Sequence, residues 1–167
     1  MQWSKNDELF IKNLETGNLF ADKVVSMLRN DGFEAYAPQT IFRNNIKEVH
    51  KYKDEKDVIV KIKDNELILE VKSRNLYFTN KNNYPYDTAF IDTVSGWQAK
   101  SIKPFAVIVI SQITNNIVIV RPSLCKLWNI ENKKDRIRKI NESFYTINKN
   151  LLEDYSYLVD GLKCLNS

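Results

Sequence analysis

The chain has 167 residues, a formal net charge of +4, 43% hydrophobic and 28% charged residues, the balance of a soluble globular chain with room for one sizeable core. One histidine, His50, and two distant cysteines, Cys125 and Cys164, exclude zinc fingers and His-based metalloproteases, which need several nitrogen or sulfur ligands. No apolar run approaches the roughly 18 residues that span a bilayer, and residues 1–8 lack the apolar core of a secretory signal, so a cytoplasmic protein without a membrane partner is expected; the mildly basic charge admits a polyanion without requiring one.

Apolar residues recur at helical spacing over about residues 7–30, with Gly17-Asn18 as a candidate break and Asp31-Gly32 as a stop. Residues 33–37 read as a short strand closed by Pro38, and 39–56 as a long polar loop. Residues 57–63 and 66–73 are two alternating runs joined by Asp64-Asn65, the pattern of a hairpin. Residues 75–86 read as a loop, 87–101 as a helix, and 105–110 and 117–120 as strands, the first apolar enough to be buried on both faces. About 133–165 reads as helical, with a basic segment at 133–139. The expected order is α-β-β-β-α-β-β-α, an α/β chain of one domain over 1–167. Its core covers about 7–122, and a helical C-terminal extension covers about 123–167.

The hairpin carries the chemistry. A two-residue loop at Asp64-Asn65 would pair Lys63 with Glu66, Ile59 with Glu70 and Asp57 with Lys72. Opposed residues share a face, so Val58, Val60, Ile62, Leu67, Leu69 and Val71 form an apolar side, and Asp57, Glu70 and Lys72 meet on the other. Adjacent carboxylates repel and raise each other's pKa unless a cation joins them. Magnesium suits such a pair because it prefers one or two carboxylates plus water and phosphate oxygens. Bound there it polarises a phosphodiester and acidifies a water, and a neighbouring lysine positions that water or stabilises the transition state. The plainer alternative is a sheet with one wet face, where Asp57 and Lys72 form an exposed pair worth under about 1 kcal/mol.

The segments Lys56-Asp57-Val58-Ile59 and Leu67-Ile-Leu-Glu70-Val-Lys72-Ser-Arg74 resemble the PD-(D/E)xK nuclease superfamily. Residues 20–33 are similar to the first helix of its archaeal Holliday-junction resolvases. The resemblance spans roughly residues 17–110 and implies a restriction-endonuclease-like αβββαβ core with a mixed central sheet flanked by helices. It also implies Asp57, Glu70 and the backbone carbonyl of Val71 as ligands of Mg2+ or Mn2+, Lys72 as the catalytic lysine, and a DNA endonuclease that can act as a homodimer. Lys56 stands where many members have proline. Where many members carry a helix glutamate this chain has Ala21, with Asp22 or Glu15 as candidate substitutes. Gln98 and Lys100 fall where some relatives place a residue that contacts the attacking water or phosphate. Arg74, Lys81, Lys100, Lys133 and Lys134 are candidates for nucleic-acid contact, with Tyr77, Phe78, Tyr84 and Tyr86 as stacking candidates. The competing expectation is a fold of this type that binds nucleic acid without chemistry, which Ala21 favours.

Overall fold

The computed structural model describes residues 5–38, 57–135 and 139–167; residues 39–56, read from the sequence as a loop and including His50, lie outside the described residues. Helix α1 runs unbroken over Lys5–Asn30. Gly17 does not divide it, because the following turns bury Phe20, Ala21, Val24, Val25 and Leu28 in one core, which outweighs a glycine cost of about 1 kcal/mol. The helix ends at Gly32, whose φ of 90° suits glycine, with Phe33 N–H donating to the Leu28 carbonyl at 3.0 Å.

Among the described residues the chain then builds a six-stranded sheet in the order β1-β2-β3-β5-β6-β9. Its strands are β1 (Glu34–Tyr36), β2 (Val58–Ile62), β3 (Asn65–Arg74), β5 (Ala106–Ser111), β6 (Ile117–Val120) and β9 (Glu153–Asp154). Only β3 and β5 pair in parallel, and β5 is buried throughout, as its apolar run predicts. Alternation along the strands sends Val58, Val60, Ile62, Leu69, Ile108 and Ile110 to the side covered by α1 and the C-terminal helix α3 (Tyr155–Asn166). Val107, Val109, Val118 and Val120 go to the other side, into a second core with Phe78, Ile91, Trp97 and Ile147. This second side is covered by the short helix α2 (Val94–Ala99) and a three-stranded sheet of order β4-β8-β7. Its strands are β4 (Thr88–Thr93), β7 (Asn129–Asp135) and β8 (Ile140–Asn148).

The expected mixed sheet flanked by helices and closed by a C-terminal helix is present, with α1, β1, β2, β3, α2 and β5 in the anticipated order. Two segments differ from expectation. Residues 87–101 are not one helix: Thr88–Thr93 is a strand and only Val94–Ala99 is helical. The extension is helical only over Tyr155–Asn166, and Lys133 and Lys134 lie on β7 of an antiparallel ribbon. The local reason is that Phe144 and Thr146 alternate with Tyr145 and Ile147, and Ile147 enters the second core. Among the described residues, no helix is long and apolar enough to cross a membrane.

Candidate functional site

The β2–β3 hairpin turns at Lys63-Asp64, with Lys63 in the left-handed region at φ 54°. Ile62 therefore faces Asn65, Lys61 faces Glu66 and Ile59 faces Ile68, a register two residues from the expected one. An apolar pair and an opposite-charge pair replace the Ile59–Glu70 and Lys61–Ile68 oppositions of the other register. A shift of two preserves faces, so Glu70 and Lys72 still share the side away from α1. Continuing the ladder sets Asp57 across from Glu70 rather than Lys72. Asp57 immediately precedes β2, and its Oδ2 accepts a hydrogen bond from the Val71 amide at 2.8 Å.

Glu70 is buried to 5% exposure and is held from two sides. Lys72 Nζ lies 2.6 Å from its Oε1, and Lys100 Nζ lies 3.1 Å from its Oε2. The same ammonium groups reach Asp92, Lys72 at 3.4 Å and Lys100 at 3.6 Å. Asp92 was not foreseen, because its segment reads as helix. A β-bulge aims it. On β4, Phe90 faces Thr146 and the next paired residue, Asp92, faces Tyr145, so Ile91 is the extra residue. Ile91 is fully buried in the second core, and Tyr145 packs against that same core, so Ile91 and Asp92 both turn inward. Bulges re-aim side chains in this way. Thr93 then caps α2, its Oγ1 accepting from the Gly96 amide at 2.9 Å, and its own amide donates to Asp92 Oδ1 at 2.9 Å. The cap chemistry of Thr93 was the available signal that a strand ends and a helix begins there.

Asp57, Glu70 and Asp92 face two ammonium groups, Lys72 and Lys100, so with all groups ionised the cluster carries one surplus negative charge (three minus two). Burial, followed by repulsion from Glu70, pushes the Asp57 carboxyl up to about 6. Burial works to lower the Lys72 pKa, but the carboxylates of Glu70, Asp92 and Asp57 outweigh it and hold the group above its ordinary value. Lys72 is therefore a cation at neutral pH, and its chemistry is that of a charge and a hydrogen-bond donor rather than of a base. Among the described residues no three acidic, histidine or cysteine side chains form a metal-holding group; Asp92 joins Glu70 through the lysines. The donor set nonetheless fits a hard divalent ion, because a cation relieves the Asp57–Glu70 repulsion that raises Asp57. The Val71 carbonyl is a suitable third donor. A strand residue directs its N–H and C=O to the same edge, so this carbonyl leaves on the Asp57 side, beyond the first paired residue of β2.

The remaining candidates separate. Ala21 is buried in the α1-side core, while Glu15 and Asp22 are exposed and neither completes a metal-holding group with Asp57 and Glu70. The apolar stripe of α1 fixes this, since Asp22 is turned about 100° from Ala21. Lys100 enters the site, whereas Gln98 is exposed and donates to the Tyr145 hydroxyl at 3.5 Å. Lys81 is occupied structurally: its Nζ meets Glu153 at 3.1 Å and its amide donates to Asp154 at 2.8 Å. Lys133 and Lys134 are exposed on β7, with the Lys133 ammonium 5.3 Å from the centre of the Phe90 ring. Phe78 and Tyr84 are buried and packed 5.3 Å apart, so they are core; Tyr77 and Tyr86 are exposed. Arg74 lies half-buried on the same face of β3 as Glu70 and Lys72, and burial lowers its pKa from the ordinary arginine value.

No protein-family model matches the chain, and no curated protein matches it. Among solved structures, the chain is similar to D212, a nuclease from a fusselovirus, at 14% identity and a TM-score of 0.43, over 99% of this chain and 96% of that one.

Proposed function

We propose that the chain is a metal-dependent endonuclease of the PD-(D/E)xK type that hydrolyses DNA phosphodiester bonds. The observation that carries this reading is the junction of Asp57 and Lys72 at the buried Glu70, with Lys72 2.6 Å from Glu70 and Asp57 pushed up to about 6. Asp57, Glu70 and the Val71 carbonyl would hold Mg2+ or Mn2+, which supplies a Lewis acid and an acidified water. Lys72, kept cationic by its carboxylate neighbours, positions that water or neutralises charge developing on the phosphate. Lys100 shares the load on Glu70 and leaves Lys72 free to shift toward a bound phosphate. Asp92 orients both lysines. On this reading residues 1–167 form a single cytoplasmic nuclease unit, and a homodimer supplies the second site for cutting both strands.

The test is cleavage of plasmid, linear, single-stranded and branched DNA with Mg2+ or Mn2+, comparing the native chain with a folded Lys72→Ala variant. Cleavage that disappears in the variant is the expected result; no cleavage of any substrate with either metal refutes the reading. The second reading is a nucleic-acid-binding module without chemistry. It is favoured by the burial of Ala21 in the core, away from Glu70. It predicts a melting temperature indifferent to Ca2+ and Mn2+, whereas ligand binding to the native state raises it by mass action.

A further inference from the structure

We propose that Arg74 is an anion site for the DNA phosphate next to the scissile one, an inference that rests on the nuclease reading above. Strand β3 carries Glu70, Lys72 and Arg74 at alternate positions, so all three point to one face. At about 3.3 Å per residue, Arg74 follows Lys72 by about 6.6 Å along the strand. A nucleic-acid strand running parallel to β3 therefore meets the Lys72 ammonium and then the Arg74 guanidinium.

The two cations differ in how they are satisfied. Lys72 is held between Glu70 and Asp92 at 2.6 and 3.4 Å. Arg74, although half-buried, has among the described residues no carboxylate within ion-pair distance, and its hydrogen bond is to the adjacent Ser73 carbonyl at 3.4 Å. Asp92 and Tyr84 act on it only through space. A guanidinium has five N–H donors, and withdrawing it from water without a counter-charge is costly. Arg74 therefore presents guanidinium donors that no carboxylate among the described residues engages, on the face that carries Glu70 and Lys72. The planar fork of arginine suits a phosphate, which accepts two parallel hydrogen bonds from it. A free carboxylate side chain would meet the same fork, but the flanking Lys72 and the extended run of the strand match a ligand that presents successive phosphates.

The experiment uses a DNA duplex in which one phosphate at a time is replaced by a neutral methylphosphonate. Binding is measured in EDTA and cleavage separately in Mn2+. For the native chain, neutralising the phosphate that Arg74 holds should weaken binding about ten- to hundredfold. Arg74→Ala should lose that much on unmodified DNA and become indifferent to the modification there, while Arg74→Lys should recover part of the loss. The phosphate whose effect vanishes in Lys72→Ala marks the scissile position, and the Arg74-dependent one should be its neighbour. Should Arg74→Ala melt early, Arg74→Met, which keeps the aliphatic stem, carries the same comparison. Native-like binding by the variant, or weakened binding that stays sensitive to the same methylphosphonate, overturns the assignment. Arg74-dependent interference with no cleavage in either metal refutes the nuclease reading and leaves the anion site standing; cleavage with no Arg74-dependent phosphate does the reverse.

Discussion

Replacing Asp57 by asparagine should stabilise the folded chain at neutral pH while removing a proposed metal ligand. The amide has the same shape and keeps an oxygen able to accept from the Val71 amide, but it cannot ionise. Because the carboxyl rises from 3.8 to about 6 on folding, the folded state holds this proton across a pH interval in which the unfolded chain has released it. Stability therefore falls as pH rises from about 4 to about 6, and the full penalty persists above that. At about 1.4 kcal/mol per unit, the shift corresponds to about 3 kcal/mol. Urea unfolding of both proteins without divalent ions, at about pH 4 and about pH 7.5, isolates the group from other titrations. The stability difference between variant and native chain should move by about 2.5 kcal/mol in favour of the variant between the two pH values, since a small part of the effect is already present at about pH 4. Adding Mn2+ at the higher pH should stabilise the native chain and leave the variant unmoved. A difference that stays constant with pH refutes the argument that burial and Glu70 strain this carboxyl.

Other changes test the neighbouring parts. Lys72→Ala removes the 2.6 Å contact to Glu70 and should cost about 2 kcal/mol, with Lys100 limiting the damage; cleavage should fall at least about a hundredfold, read by single-turnover kinetics. Ala21→Glu places an acid where the resemblance expects a ligand, yet the side chain enters a packed core. It should therefore destabilise by about 3 kcal/mol or more in urea unfolding, without improving metal affinity. At Gly96 a β-carbon would meet Thr93 Oγ1 at 2.6 Å and Asp92 Oδ1 at 3.3 Å. Gly96→Ala should cost about 1–3 kcal/mol, and cleavage measured well below its melting temperature should also drop, because the cap and Asp92 must both shift.

The polar face of the hairpin was legible because alternation separates Asp57, Glu70 and Lys72 from a wholly apolar side. Its register was not, since a slip of two residues preserves every face and only the pairing of Ile59 with Ile68 and Lys61 with Glu66 distinguishes the two. Asp92 was hidden for a related reason. The bulge at Ile91 breaks the period of two on which strand recognition depends, and the adjoining Val94–Ala99 helix makes the whole segment look helical. The basic segment suggested a solvated helix face because charge has no period of its own, whereas the strand identity of its neighbours rests on Tyr145 and Ile147 reaching a core that forms only in three dimensions. Lys100 and Gln98 lie two residues apart in sequence, yet Lys100 meets Glu70 and Gln98 meets the Tyr145 hydroxyl, a divergence set by three-dimensional packing.

The ribbon has a bearing on solubility. Among the described residues, strand β7 is an outer edge in the order β4-β8-β7, and Ile130 on it is 58% exposed. Such an edge templates intermolecular sheet growth unless charge opposes it. Lys133 and Lys134 sit on that strand, so a second chain adding there in register would bring like ammonium groups together. The two lysines thus oppose edge-to-edge pairing between copies of the chain, and neutralising them should lower the concentration at which the protein aggregates.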